Sequence, residues 1–110
     1  MRVVLTSVDS EAAAGALARA LVEERLAACV NIIAGVRSIY RWQDTIEDGA
    51  EWLLVIKTAA PSLEALHERL HQLHPYDLPE WLVLEPSQVS DAYGAWVARS
   101  SCSEDGSEHR

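Results

Sequence analysis

The spacing of apolar positions along the chain changes several times, and each change predicts the start of a new element. Val3–Val8 is a short β-branched and apolar run, which is typical of a buried strand. Asp9 and Ser10 then provide a helix N-cap, and from Glu11 to Leu26 polar residues recur four positions apart, which predicts an amphipathic helix. The chain therefore opens with a strand followed by a helix.

Two long strands are predicted in the middle of the chain. Ala28–Trp42 is rich in Val and Ile, and Gly35 within it indicates a bulge or a bend. The polar segment Gln43–Gly49 is expected to connect it to a second strand, Glu51–Thr58, which is apolar on both faces. Strands longer than the usual ~5–6 residues project beyond a small sheet and leave unpaired edges. We therefore expect further copies of the chain to pair with them; a bend at Gly35 that folds the hairpin back is the alternative.

The second half of the chain repeats this order of helix and strand. Pro61 suits the first turn of a helix whose leucines recur at helical spacing. Two prolines make the following segment, residues 74–80, extended. The remaining predictions are a core stripe of Leu63, Leu66, Leu70 and Leu73, a last strand Trp81–Leu84, a short helix capped by Ser90 or Asp91 that carries Tyr93, Trp96 and Val97, and a disordered polar tail at residues 101–110.

The predicted order β-α-β-β-α-β defines the fold class. It is the ferredoxin-like order, an α+β sandwich in which helices cover one face of an antiparallel sheet. Here it includes a long central hairpin and an extra C-terminal helix, and residues 1–100 form a single domain. This fold hosts many activities, so the order of the elements does not identify the function.

Composition and charge narrow the classes of function. The 110 residues carry a formal net charge of -8 at pH 7, and an acidic surface repels nucleic-acid phosphates and anionic membranes. Cys29 and Cys102 do not suggest a disulfide framework and no secretory signal is expected, so we predict a cytoplasmic location. The sequence contains no phosphate-binding loop and no nucleophile elbow, so we do not expect an enzyme.

Several segments match a known family in their order and spacing. They are Ala28–Ile32, Ser38–Trp42, Glu51 with Val55–Thr58, and above all His74–Glu80, followed by Tyr93 and Trp96. Together they resemble the CutA family of divalent-cation tolerance proteins from about Val3 to Val97. The resemblance implies a homotrimer joined through the edges of its long strands, a link to tolerance of copper and other divalent cations, and copper binding. The family is also similar in architecture to PII-type signalling proteins, which bind small effectors between subunits.

The metal ligands that this resemblance implies are only partly present. Ligands in the family include a Cys at the end of the first strand and two adjacent His before a Pro-Tyr pair. Here Thr6 and Leu73 stand at two of these positions, and His74 alone remains. We take His74 as the candidate metal ligand, for copper in particular. The alternative is a histidine that hydrogen-bonds the last carbonyls of the preceding helix.

A second candidate site combines aromatic and charged side chains. If they share one cleft, Tyr40, Trp42, Lys57, Tyr76 and Glu80 would hold a small anionic or zwitterionic ligand. The alternative is that Lys57 and Glu80 form an ion pair that closes a subunit interface. The hypotheses for function are therefore a homotrimer that binds divalent cations, a PII-like small-molecule sensor with an intersubunit cleft, and a structural trimer for a protein partner.

Two further histidines lie four residues apart on the second predicted helix. His67 and His71 share one face of that helix, where a single metal ion could bridge them. Glu64, Glu68 and Gln72 surround the pair. We interpret this face as a solvated helix surface, because polar residues at exposed helix positions usually serve solvation alone.

Overall fold

The structure of the protein is a computed structural model that describes residues 1–102 of the 110. The elements follow the predicted order of strands and helices. They are β1 (Arg2–Val8), α1 (Glu11–Glu23), β2 (Cys29–Trp42), β3 (Thr45–Thr58), α2 (Leu63–Leu73), β4 (Leu82–Leu84) and α3 (Asp91–Ser100), with a single 3-10 turn, Ala60–Ser62, before α2. No helix within residues 1–102 has the length and apolar character needed to cross a membrane.

The four strands form one antiparallel sheet in the order β2-β3-β1-β4. Residues that alternate along β1 and β3 point to the same face, and on one face they are fully buried, as Val4, Leu54 and Ile56 are. Leu21 of α1 and Leu70 of α2 complete this core. The helices thus cover one face of the sheet, which confirms the α+β class and the predicted order of elements.

Helix α1 begins as predicted but ends earlier. The Ser10 side chain accepts a hydrogen bond from the Ala13 N–H at 3.0 Å, which is the expected N-cap. The predicted end at Leu26 is wrong, because Arg25 adopts a left-handed conformation with φ of 62°. The Leu26 N–H donates to the Leu21 carbonyl and the Arg25 N–H to the Val22 carbonyl, which is the Schellman arrangement. Gly usually occupies the position of Arg25 in this arrangement, so a clear stop signal is missing here.

A bulge divides the β2–β3 hairpin into two halves. Ile33 is paired with Leu53, but the next pair is Val36 with Glu51, so two residues of β2 face one residue of β3. Gly35 within this step has φ of 79°, which a glycine adopts without steric cost. The bulge therefore confirms the first of the two interpretations of Gly35. Pairing continues to Trp42, so the hairpin does not fold back on itself.

The outer half of the hairpin, residues 36–51, projects beyond the rest of the sheet, and we call it the hairpin arm. The tight turn, Gln43 and Asp44, lies at the first end of the predicted connection Gln43–Gly49, but the predicted start of the second strand at Glu51 is wrong, since β3 begins at Thr45. Both turn residues have positive φ, at 50° and 65°, as a two-residue hairpin turn with the right twist requires. Both faces of the arm are exposed to solvent in the single chain, and many of its residues are polar. Polar residues in this pattern suggested a loop.

The C-terminal residues of the described chain are held in the fold. Ser101 is fully buried, and its hydroxyl donates to the Val97 carbonyl and accepts from the Ala59 N–H. The Arg25 side chain donates to the carbonyls of Arg99 and Cys102, at the C-terminal end of α3. The predicted disordered tail began at residue 101; residues 103–110 lie outside the described residues. The last strand is also shorter than predicted, since β4 begins at Leu82 rather than Trp81.

Replacing the bulge glycine tests the backbone argument. Gly35→Ala is expected to lower the free energy of unfolding by about 1–2 kcal/mol, because a Cβ is strained in the left-handed region. No other atom lies within 4 Å of that Cβ, so the cost is one of backbone conformation alone. Gly49→Ala is the matched control on the partner strand, with equal space and no positive φ, and it should leave stability unchanged or slightly higher. Equal effects in chemical denaturation at fixed protein concentration would contradict the assignment.

Candidate functional site

A cavity of about 780 Å³ lies between the hairpin arm and the segment that follows α2. This is within the usual range for small-molecule sites, roughly 300–1,000 Å³. The arm supplies one wall, and residues 76–82 supply the other. The chain bends at residues 75–78, so the segment 74–80 is not extended throughout, contrary to the prediction. The arm residues that line it are Ser38, Tyr40, Arg41, Trp42 and Glu51, and Ser7 lies at its base at the end of β1.

The bulge decides which side chains of the arm face the cavity. Directly opposed residues of an antiparallel pair lie on the same face of a sheet, and Glu51 is opposed to Val36. Side chains then alternate, so Tyr40 and Trp42 share the face of Glu51. Without the extra residue at Gly35, these two aromatic rings would point to the opposite face of the arm.

A buried histidine fixes the segment after α2 to the first strand. His74 is only 7% exposed, and its Nε2 lies 3.0 Å from the Ser7 carbonyl and 3.1 Å from the Thr6 hydroxyl. A carbonyl can only accept, so Nε2 carries the proton. Its Nδ1 accepts the Tyr76 N–H at 3.1 Å. Both contacts require the same neutral tautomer, and burial accordingly lowers the pKa of His74 below its usual value.

Two further hydrogen bonds close the cavity wall. The Tyr76 hydroxyl donates to Glu51 Oε2 at 2.6 Å, which joins the segment to the arm. The Ser7 hydroxyl donates to Glu80 Oε1 at 3.1 Å, which joins it to β1. Burial, followed by the hydrogen bond to the Glu51 carboxylate, raises the pKa of Tyr76 well above its ordinary value, so the phenol stays protonated at physiological pH.

The cavity combines aromatic surface with an excess of negative charge. Tyr40, Trp42, Tyr76 and Trp81 contribute aromatic rings to its lining. Its acidic lining residues are Glu51, Asp77 and Glu80, and its basic one is Arg41, whose side chain alternates to the other face of the arm from Tyr40 and Trp42. Such a lining suits a ligand with a cationic group, because aromatic faces and carboxylates both attract cations.

The structure brings together four of the five residues predicted to form a cleft. Tyr40, Trp42, Tyr76 and Glu80 line the cavity, and Lys57 does not. Lys57 lies near the far end of β3, paired with Val3 and Cys29, and its ammonium donates to the Asn31 side chain. The predicted pairing of Lys57 with Glu80 is therefore absent from the single chain, where Glu80 accepts from Ser7 instead.

Sequence reasoning missed several members of the site. Ser7, Glu51, Arg41 and Trp81 line the cavity without having been proposed for it. Ser7 and Glu80 are 73 residues apart, and a single sequence gives no signal for such a contact. The position of Glu51 could have been inferred from the bulge at Gly35, which places it on the face of Tyr40 and Trp42.

The donor atoms around His74 do not fit a copper centre. In the neutral tautomer the only ring lone pair is on Nδ1, and it already accepts the Tyr76 N–H. The nearest side-chain atom to Nε2 is the Thr6 hydroxyl, a weaker ligand for copper than a thiolate or imidazole. Among residues 1–102, no three or more His, Cys, Asp or Glu side chains form a group that could hold a metal ion. His74 as a metal ligand stays a prediction.

Comparison with known proteins gives this fold a family. The family model described as CutA1 divalent ion tolerance protein matches residues 2–100. The chain belongs to this family. It is 46% identical over 99 residues to the divalent-cation tolerance protein CutA of Thermus thermophilus, a match that covers 90% of this chain and 96% of that protein. It is 40% identical to the chloroplastic protein CutA of Arabidopsis thaliana, of which the match covers 54%.

Solved structures of CutA proteins superpose closely on this one. The Thermus thermophilus protein matches with a TM-score of 0.88 at 45% identity, covering 93% of this chain and all of that chain. A structure described as the PII-like protein CutA from Nostoc, in apo form, matches with a TM-score of 0.88 at 34% identity and covers 94% of this chain and 100% of that one. The family's description names tolerance to divalent ions and no catalysed reaction.

The tautomer of His74 makes a prediction about pH. The pKa of His74 in the folded CutA protein lies below its unfolded value, so the unfolded chain binds more protons as the pH falls below about 6.5. Neutral His74 therefore contributes fully to the stability of the fold above that pH. This contribution is lost as the pH falls towards the pKa of His74 in the folded protein. We expect His74→Gln to flatten the dependence of the unfolding free energy on pH between pH 7 and 5. A wild-type slope in His74→Gln would contradict the assignment.

Proposed function

We propose that this CutA protein is a homotrimeric sensor in divalent-cation tolerance that binds a small zwitterionic or cationic ligand in the cavity between the hairpin arm and residues 76–82. The observation that carries the proposal is the lining of the cavity, where aromatic residues from two chain segments meet three acidic residues. No catalytic step is required. The family membership supports the role in cation tolerance, and the ligand would be the signal that the protein reports.

Charge favours a zwitterionic or cationic ligand over the anionic one that the sequence also allowed. Lys57, the cation that supported an anionic ligand, lies outside the cavity. Glu51 and Glu80 could hold the cationic group of the ligand, and Arg41 is the one basic residue at the lining that could approach a carboxylate of a zwitterion. Tyr76 can offer only a neutral phenol, because its proton is retained and is already donated to Glu51.

The apolar surface of the single chain supports the trimer. Ile39 and Ile46 on the arm are 62% and 58% exposed, and Leu78 on the opposite cavity wall is 71% exposed. Leu53 and Val55 are only half-buried on the face of β3 that no helix covers. Exposed apolar side chains on both faces of strands with unpaired edges are a feature of subunit interfaces. A trimer would place the cavity beside neighbouring subunits, and a native mass spectrum at three chain masses would support it.

Direct copper binding at His74 is the second candidate. It is favoured by the family's description, which names divalent ions, and by the place of His74 before Pro75 and Tyr76. It would require the ring to give up its bonds to Ser7 and Tyr76. Loss of stoichiometric copper binding in His74→Gln, with the trimer intact, would favour this candidate over the cavity.

A thermal-shift experiment tests the cavity. Three groups of small molecules are compared on the purified protein: zwitterions such as glycine betaine and arginine, cations such as spermidine, and anions such as inorganic phosphate and ADP. We expect stabilisation by a member of the first two groups and none by the anions. Trp42→Ala and Glu80→Gln should remove the shift, because one deletes aromatic surface and the other a carboxylate of the lining.

Lys57→Ala is the matched control for this experiment, because it removes a charge from β3 outside the cavity. It should keep the full shift, and native mass spectra of all variants should show the assembly of the wild type. A shift caused only by anions, or one that disappears in Lys57→Ala and survives in Glu80→Gln, would overturn the proposal.

A further inference from the structure

Two histidines outside the cavity lining, His67 and His71, form a cluster of three rings with Trp81, which also lines the cavity, where α2 meets the residue that precedes β4. The ring centroids of His67 and His71 are 4.3 Å apart, and the Trp81 ring lies 4.5 Å from His67 and 5.9 Å from His71. Both histidines are exposed, and Trp81 is half-buried. The face is exposed to solvent, in keeping with its interpretation as a solvated surface, and its imidazoles also pack on each other and on an aromatic ring.

The tautomer of His71 leaves one nitrogen ready to bind a cation. Its Nδ1 lies 2.8 Å from the His67 carbonyl, which can only accept, so Nδ1 carries the proton. The lone pair is then on Nε2. A histidine that donates one ring N–H to a carbonyl and presents the other nitrogen has the orientation found in metal sites, where that hydrogen bond fixes the ring and raises its basicity.

His67 stands one helical turn before His71 on the same face. Among residues 1–102, no hydrogen bond uses a ring nitrogen of His67, and its ring is held only by contacts with His71 and Trp81. One of its nitrogens is therefore available without breaking an existing bond. With ring centroids 4.3 Å apart, one ion can bridge the two imidazoles after a rotation of the side chains, since metal–imidazole bonds are about 2.0–2.1 Å long.

The surroundings of the pair are open and negatively charged. His67 and Trp81 border a shallow cleft together with Glu64, and Glu68 follows His67 on the helix. The cleft gives solvent access to the rings. The chain as a whole carries a net charge of -8, so cations are attracted to this surface and the local carboxylates add to the attraction.

We propose that His67 and His71 chelate a divalent transition-metal cation, with Cu²⁺ bound most tightly and water completing its coordination. Imidazole nitrogen is a preferred ligand of such ions, and Cu²⁺ heads the affinity order for a given nitrogen site. The site is a two-residue chelate on one helix, which agrees with the absence of any group of three or more ligands within residues 1–102. It uses neither His74 nor the cavity, so it stands or falls independently of the proposed function.

The other histidines of the chain either compete poorly for the metal ion or can be replaced by substitution. The sequence has four histidines, of which His74 is buried with both ring nitrogens engaged. His109 belongs to the C-terminal residues outside the described part, and Cys102 precedes them. A full-length background with His109→Gln and Cys102→Ser removes these donors without touching α2.

A titration of the full-length protein with Cu²⁺ tests the site. Trp81 provides the signal, because a bound paramagnetic ion beside its ring quenches its fluorescence, and electron paramagnetic resonance reports nitrogen ligation directly. We expect one ion per chain. His67→Ala and His71→Ala should each weaken binding by about tenfold or more, because each destroys the chelate in which the second nitrogen binds at high effective concentration. Trp81→Phe should keep the affinity and lose most of the quenching.

Four outcomes decide the matter. Retained copper in the His109→Gln and Cys102→Ser background, together with loss in His67→Ala and His71→Ala, supports the chelate. Wild-type copper affinity in the variant that combines His67→Ala with His71→Ala overturns it. Binding that disappears only when His109 and Cys102 are replaced assigns the ion to the tail. Binding that disappears only in His74→Gln assigns it to the second candidate discussed above, and each of these last two results also overturns the chelate.

Discussion

The register shift at Gly35 is the constraint on which the candidate site depends. It lets two residues of β2 oppose one residue of β3. From that point to the hairpin turn, the side chains of β2 therefore point to the opposite face from the one that unbroken alternation would give them. In the half of the hairpin next to the helices, Val30 and Ile56 face the core. In the hairpin arm, beyond the bulge, Tyr40 and Glu51 face the segment after α2. One backbone step thus allows a single hairpin to serve a buried core and an open binding surface.

The opposite wall depends on a neutral imidazole. His74 joins β1 to the segment that follows α2, and its two ring nitrogens are committed to a carbonyl and an amide N–H. The residues beyond it are held by Tyr76 to the arm and by Glu80 to β1. This arrangement explains why a histidine in a family of divalent-cation tolerance proteins can be structural in this chain. It also separates the cavity, which is built around hydrogen bonds, from the exposed imidazole pair on α2.

Much of the fold followed from local chemistry. The Ser10 cap, the leucine stripe of α2 and the bulge at Gly35 each have a local signal in the sequence, and each is present in the structure. The errors arose where the usual signal was missing. The tight turn has Gln43 and Asp44 in place of the common Asn-Gly pair, and Arg25 occupies the left-handed position that glycine normally takes at a helix end.

The site was predictable in part, because the aromatic residues of the arm and the Pro-Tyr segment stand out in the sequence. The hydrogen bonds of the site could not be predicted from the sequence, since Thr6 and Ser7 lie 68 and 67 residues from His74. Lys57 lies outside the cavity of the single chain, because it is six residues further along β3 than Glu51, about 20 Å in a strand, and a cleft between subunits that includes it stays a prediction. The packing of Trp81 on His67 is likewise a contact between elements that no periodicity reveals.

A ligand can bind in the cavity only if the cavity persists in the assembled protein, and a crystal structure of the assembly measures this directly. We expect a homotrimer in which Tyr40, Trp42, Glu51 and Tyr76 still line an open space of several hundred Å³ with access from solvent. Filling of that space by side chains of a neighbouring subunit would contradict it, because the aromatic and acidic lining would then be an interface and not a ligand site.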